Sequence, residues 1–437
     1  VDTRLETIAL LLEHHYNTVI IGAGPAGLMA AAEAYNPEHS IVLLEKMHRT
    51  GIKLRISGKG RCNITNEEGM QSFINRFGKK GRFLKYPFSQ FFNHDLLDYL
   101  NQMGVPTKLE RGGRYFPQSD RATDIVDAFE RKLEALKVPL VRQAPVVGLK
   151  KNGEGRFVLD VRCAGELVKV QADQVCVCSG GLSYPATGST GDGYKMAHHF
   201  GHTVTDTAPS LVPVLTAGDI AKRVQGLTLR NVSISVWDEN KKMTEMFGEM
   251  MFMRKGITGP IILTLSETLV SMLDHKKEVQ IKIDLKPALD HKKLDQRLQR
   301  EINKNSKHSF KKLLKTLLPL KMIDLFVDLL GIDADKPLHQ ITGDERKKLR
   351  MLLKEFPMAV IGHDSYDHAI VTSGGVSLKE IDPLTMESKL TPNLYFAGEI
   401  MDVNGETGGY NLTSSWSTGY LAGRSMRTKK IGELQHG

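Results

Sequence analysis

The sequence predicts an α/β protein. A Rossmann-like dinucleotide-binding domain is interrupted by a small antiparallel β-barrel-like domain, which itself carries a helical insert. Three observations predict it. A β-prone apolar run meets a glycine-rich turn close to the start of the chain. Short alternating apolar runs, separated by turn residues, begin near residue 206. Lys and Arg then concentrate on segments of helical periodicity between residues 287 and 354.

The first element is TVIIGAGPAGLMAAA, residues 18–32. Val19 to Ile21 predict a strand, and the small residues after Gly27 predict a helix. Between them lies Gly22-Ala23-Gly24-Pro25-Ala26-Gly27. In a dinucleotide fold the first glycine makes the tight turn and the second lets the backbone approach a pyrophosphate. The third lets helix and strand pack closely. The helix N-terminus adds free N–H groups and a partial positive charge. A second apolar run, Ile41 to Leu44, ends in Glu45, spaced as the acid that binds a ribose hydroxyl.

Further along, helices are expected near Asp95–Met103 and Ile125–Lys137, and strands at Phe157–Val161, Leu167–Val170 and Gln174–Cys178. The predicted boundaries are 1–205 and 373–437 for the Rossmann-like domain, 206–286 and 355–372 for the β-domain, and 287–354 for the basic insert. Val232–Val236, Ile261–Leu265 and Val279–Ile283 read as β-domain strands. In the insert, Leu313, Leu314, Leu317 and Leu318 share one helical face. Ile323, Phe326, Val327 and Leu330 share the next, beyond Pro319. Thr342 or Asp344 is a candidate N-cap.

The 437 residues are 41% hydrophobic, enough for two or three domains. The net charge is +9, and residues 286–354 hold 17 Lys/Arg against 9 Asp/Glu, so that segment carries most of it. The four cysteines form no CxxC pair and no zinc-type cluster, so no metal site is expected and a reducing, cytoplasmic setting fits. No signal peptide is read at the start. No apolar run approaches the roughly 18 residues of a membrane span. Cys176 and Cys178 share a strand face and read as buried small hydrophobes rather than a redox pair. For Cys62, a thiol activated by Lys59 and Arg61 is weighed against a packing role, and packing is preferred.

The stretch GIKLRISGKGRCNITN, residues 51–66, follows the Glu45 strand. It is not a P-loop, because Lys53 and Gly60 stand where that pattern needs Gly and Ser/Thr. Gly58 and Gly60 free backbone N–H groups, while Lys53, Lys59 and Arg61 bring charge, so an anion such as a cofactor pyrophosphate suits it. Taken with GGLSYPATGSTGDGY (180–194) and LYFAGEIMDVNGETGGYNL (394–412), it resembles the BaiN-like, or aminoacetone oxidase, family of FAD-dependent flavoproteins along almost the whole chain. That resemblance implies a glutathione-reductase-like, three-layer FAD scaffold. Spacing also favours FAD over NAD. A second strand ends in Ser179-Gly180-Gly181 and a third in Gly398-Glu399, as a long cofactor met several times requires. There is one GxGxxG, so no separate NAD(P)H domain is expected.

The resemblance places Lys46, Lys53, Ser57, Gly58, Gly60, Arg61, Cys62 and Asn63 near the cofactor, and Val147 near its adenine. It sets Gly398 and Glu399 at the ribitol and pyrophosphate, and Gly408, Gly409, Tyr410, Asn411 and Leu412 beside the flavin ring. The helix after Leu412 would turn its positive end to that ring. Tyr184, Arg254, His363 and Tyr410 are candidates for substrate contact. The leading expectation is a FAD-dependent oxidoreductase for a small organic substrate, with NAD(P)H as transient co-substrate or O2 as oxidant. The alternatives are a flavoprotein acting on or binding tRNA through residues 287–354 and a non-catalytic FAD-holding sensor.

Overall fold

The computed structural model describes residues 15–239, 241–275 and 279–429. They form two compact units. One runs to Pro209 and resumes at Ile370; the other is Ser210–Ala369.

The first unit is built on a seven-stranded sheet. His15–Ile21 lies parallel between Ile41–Leu44 and Glu166–Val177, and Leu140–Val141 continues the parallel edge beyond Ile41–Leu44. All four residues of Ile41–Leu44 are buried, as expected for a parallel strand covered on both faces. The expected strands Leu167–Val170 and Gln174–Cys178 are one continuous strand, Glu166–Val177. Its first half pairs antiparallel with Phe157–Cys163, and its second half pairs parallel with the C-terminal strand Leu394–Phe396. Glu166–Val177 therefore stands between the first strand of the sheet and the last.

Helix Pro25–Glu33 has proline in its first turn and buries every residue from Ala26 to Ala32. Its small side chains admit the 19-residue helix Tyr410–Thr428, whose Gly419 and Gly423 sit against the backbone of Ala26 and Ala30. Trp416, fully buried, stacks on Phe129 of helix Ala122–Ala135 with ring centroids 4.9 Å apart.

The second unit contains a closed six-stranded antiparallel barrel in the order Val214–Thr216, Gly256–Thr258, Lys241–Phe252, Thr228–Asp238, Val279–Asp284, Phe356–His363. The expected strand at Ile261–Leu265 is instead the start of helix Pro260–His275. Burial of Ile261, Ile262, Leu265 and Leu269 follows a 3.6 period, which a five-residue segment is too short to reveal. Four longer helices, His291–Lys304, Phe310–Leu317, Leu320–Leu330 and Gly343–Lys354, lie in sequence between two neighbouring barrel strands. They share one apolar core with the barrel, and Phe326 stacks on Phe356 at 5.8 Å. Thr342 caps the last of them in a reciprocal box with Glu345.

One buried histidine makes acid stability a measurable property of the first unit. The His202 side chain is fully buried, with Nε2 2.7 Å from Ser388 Oγ and Nδ1 3.3 Å from Glu380 Oε2. Burial lowers its pKa despite the pull of Glu380. The unfolded chain therefore takes up this proton more readily, so stability is full above about pH 6.5 and falls as pH drops through the depressed folded value. His202→Gln is expected to flatten the loss of urea midpoint between about pH 6.5 and 5. An unchanged slope would show that other groups carry it.

Candidate functional site

The glycine loop after His15–Ile21 is held from below. Gly22 adopts φ +100° and donates its N–H to Leu44 O at 2.7 Å. Glu45, buried, accepts from the backbone N–H groups of Ala23 and Met47, both at 2.8 Å. Burial raises its pKa, and the two backbone donors and Lys46 only partly offset this. The helix beginning at Pro25 has no side-chain cap, which leaves its first N–H groups for an external acceptor. A Cβ on Gly24 would meet nothing within 4 Å among the described residues, so the space beside the second glycine is open.

Residues 51–66 make a short helix, Ile52–Ile56, and then a tight turn with Gly58, Lys59, Gly60 and Cys62 all at positive φ. The cations separate. Lys53 Nζ turns inward to Glu399 Oε2 (2.7 Å) and Ser183 Oγ (2.5 Å). Lys59 is exposed. Arg61 is paired with Glu110 and Asp120 and lies over the Phe116 ring at 4.2 Å. Cys62 takes the packing role preferred from the sequence, and Lys59 and Arg61 do not activate it. That thiol is fully buried and its pKa is pushed up to about 12 by burial, with the polar side chain of Ser57 only partly offsetting it. All four cysteines are free and buried. Native protein is therefore expected to resist a thiol reagent at neutral pH, while unfolded protein reacts at four sites. Rapid native labelling of Cys62 would contradict this.

The same segment reaches the C-terminal glycine turn. With its amide oxygen and nitrogen assigned by the hydrogen bonds open to them, Asn63 accepts from Gly409 N–H (3.1 Å) and donates to Thr65 O (3.3 Å). Thr65 Oγ1 bonds Thr413 Oγ1 at 2.7 Å, and Asn66 Nδ2 donates to Gly408 O at 3.2 Å. Gly409 is the N-cap of helix Tyr410–Thr428 and again offers no side-chain cap. Asn411 closes the loop by bonding both backbone groups of Gly405, at 2.7 and 2.8 Å. Leu412 packs at the edge of the core.

Between these ends stands a polar network that sequence reasoning missed in part. Glu399 Oε1 accepts from Ser183 Oγ (2.5 Å) and Thr372 N (2.9 Å), while Thr372 Oγ1 accepts from the N–H groups of Leu182 and Ser183. Ser183 was legible only as part of a glycine-rich run, and Thr372 carried no site signal of its own. Gly398 N–H donates to Thr418 Oγ1 at 3.1 Å. Ser179 Oγ, beside Gly180 and Gly181, is buried with no hydrogen-bond partner among the described residues. An orphaned hydroxyl, two uncapped helix starts and an open space at Gly24 fit an extended, polar, phosphate-bearing ligand.

Other candidates lie differently. Lys46 Nζ bonds Thr190 Oγ1 (2.5 Å) and Asp192 (2.6 Å). Ser57 Oγ donates to Leu54 O. Val147 is 53% exposed on a strand that pairs with Phe157–Cys163. Tyr184 is half-buried at φ 51°. Tyr410 is buried, with its ring 4.6 Å from Phe73 and its hydroxyl pKa pushed up to about 12, chiefly by burial. Arg76 joins Glu68 (2.5 Å) and Glu406 (2.9 Å) next to it. Arg254, exposed, and His363, whose Nδ1 is 2.8 Å from Asp364 O, belong to the second unit.

A glycine-lined βαβ turn in a mainly parallel sheet, in a chain that also forms a closed barrel, defines a Rossmann-domain protein of the barrel-interrupted kind. The chain belongs to the HI0933-like family: the model described as HI0933-like protein Rossmann domain matches residues 16–425. It is 29% identical over 408 residues to a 3-dehydro-bile acid delta(4,6)-reductase of Clostridium scindens, covering 93% of this chain and 98% of that protein. It is likewise 29% identical over 418 residues to a ribosomal RNA dihydrouridine synthase of Escherichia coli, covering 95% and 99%. Among solved structures, 3-ketosteroid delta1-dehydrogenase from Sterolibacterium denitrificans shares the fold at TM-score 0.54 and 13% identity, covering 95% of this chain and 100% of that one. The 3-ketosteroid-delta4-(5alpha)-dehydrogenase from Rhodococcus jostii RHA1 does so at 0.52 and 14%, covering 96% and 98%. Among the described residues no helix is long and apolar enough to cross a membrane.

Proposed function

We propose that this chain is a FAD-dependent oxidoreductase that reduces a carbon–carbon double bond conjugated to a carbonyl in a small organic substrate, with NAD(P)H as electron donor. The observation that carries the reading is the convergence of residues 22–27, 51–66, 179–183, 398–399 and 408–412 within one unit, tied by Lys53, Ser183 and Glu399. Two relatives of similar identity support the reaction class. One is named as a delta(4,6)-reductase, and the other for dihydrouridine, which is uridine with its ring double bond reduced.

The helix starting at Pro25 would hold the pyrophosphate, Glu45 the ribose, Gly398 and Glu399 the ribitol, and Gly408–Leu412 the ring. Bound FAD supplies two-electron redox chemistry at its ring. The chain's own work is to position and to set charge. The uncapped start of helix Tyr410–Thr428 presents N–H donors and a positive dipole end, which favours negative charge beside it. Lys53 neutralises Glu399, so the network adds little net charge there. The test is to purify the protein, confirm FAD by its spectrum, and mix it anaerobically with NADH or NADPH and then an enone. Loss of the visible flavin band with donor, and its return with the enone, is expected. A flavin that only dithionite reduces would overturn the reading in favour of a sensor.

A second reading has a specific observation behind it. The surplus of 8 positive charges over residues 286–354, with exposed Lys347 and Lys348 among them, suits a polyanion, which makes a uridine in RNA the reduced group. Salt-dependent binding of RNA to the holoprotein tests it.

A further inference from the structure

The stretch Arg76–Phe92, RFGKKGRFLKYPFSQFF, holds five Lys/Arg, six aromatic residues and no Asp or Glu. The structure sorts these residues into two faces. Inward, Phe77 packs at Gly405, Phe88 joins the cluster around Phe73 and Tyr410, Arg76 pairs with Glu406 and Lys80 with Asp402. That face braces the loop ending in Gly408 and Gly409. Outward, Lys79, Arg82, Lys85 and Tyr86 are exposed, and none of the three cations has a carboxylate within ion-pair distance among the described residues. Met70, Phe83, Tyr86 and Pro383 floor an open groove of about 510 Å3, with Arg82 and Lys85 on its rim.

An apolar, aromatic floor with uncompensated cations along the edge matches single-stranded nucleic acid. A base stacks on the ring while flanking phosphates meet the cations. From this we infer that the groove docks a single-stranded RNA segment, on the outer face of the element that braces the glycine turn. This rests on the RNA reading above, but on a different surface from the basic helices.

The experiment uses full-length holoprotein and a fluorescein-labelled single-stranded oligouridylate, with binding read by anisotropy across a salt series. Tyr86→Ala is expected to weaken binding about 5- to 100-fold, with the slope of log K against log salt unchanged, and Tyr86→Phe to retain binding. Arg82→Gln with Lys85→Gln is expected to flatten that slope by about 1.4, two phosphates' worth for a single strand. Flavin content and bleaching by NAD(P)H are expected to stay as in the parent protein. RNA binding lost with Lys347→Gln and Lys348→Gln but untouched by the groove variants would overturn the groove and leave the RNA reading standing. No RNA binding by a holoprotein that reduces an enone would overturn both and spare the flavin reading. Groove variants that alter binding to anionic phospholipid vesicles but not to RNA would also overturn it.

Discussion

Gly27→Ala and Gly24→Ala are expected to fail in opposite ways, although both change one glycine of one motif by one methyl group. At Gly27 the added Cβ would fall inside the van der Waals shell of the Gly22 carbonyl oxygen, with the Cys178 side chain 3.3 Å away on the other side. Neither neighbour can yield easily. Gly22 is tied to Leu44 across the sheet, and Cys178 N–H donates to Ile21 O at 2.8 Å. Overpacking of this kind costs about 2–3 kcal/mol. The variant should unfold at lower urea with or without flavin, and should be purified with little colour. At Gly24 the backbone is extended, φ −81° and ψ −174°, which alanine adopts without strain, and the Cβ meets nothing within 4 Å among the described residues. Apoprotein stability should stay within about 0.5 kcal/mol of the parent. Flavin affinity should fall about 5- to 150-fold, because the methyl group occupies the space assigned to the pyrophosphate. Equal flavin affinity in Gly24→Ala and the parent would show that no cofactor phosphate lies there.

That contrast shows which parts of the fold were readable in the sequence. The glycine turn, the Glu45 strand and the alternating barrel strands are local: each is dictated by residues within a few positions, so pattern and spacing reveal them. Ile261–Leu265 was misread because five residues carry no decisive period, and its helix is set by Pro260 in front and by Leu269 a turn beyond. Arg61 looked like an anion-binding cation because its neighbours are glycines. Its partners, Glu110 and Asp120, are 49 and 59 residues away, and nothing local announces them. The same holds for Lys53, which finds Ser183 at a separation of 130 residues and Glu399 at 346. Glycine-rich turns mark where the chain can approach a ligand. Which charged side chains remain available there is decided by tertiary pairing, and that is invisible until the chain is folded.

The Lys53–Glu399 pair gives the second large effect, and its sign pattern is more informative than its size. Both side chains are mostly shielded, 25% and 18% exposed, so removing one partner leaves the other charge partly desolvated. Glu399→Gln preserves shape. Its amide oxygen can still accept from Ser183 and Thr372, but its NH2 group then faces the Lys53 ammonium, donor against donor. A loss of about 2 kcal/mol is expected, below the full value for a completely buried pair because solvent still reaches both groups. Lys53→Met removes the ammonium and leaves Glu399 with two of its three donors, at a similar cost. The double variant should lose less than the sum of the two, by about 1–2 kcal/mol, since the opposed donors are gone together. Flavin retention should follow the same order, because Glu399 and Ser183 fix residues 398–399 and 179–183 relative to each other. Strictly additive losses in stability would show that solvent screens the pair, and that the two glycine-marked loops are aligned by the backbone alone.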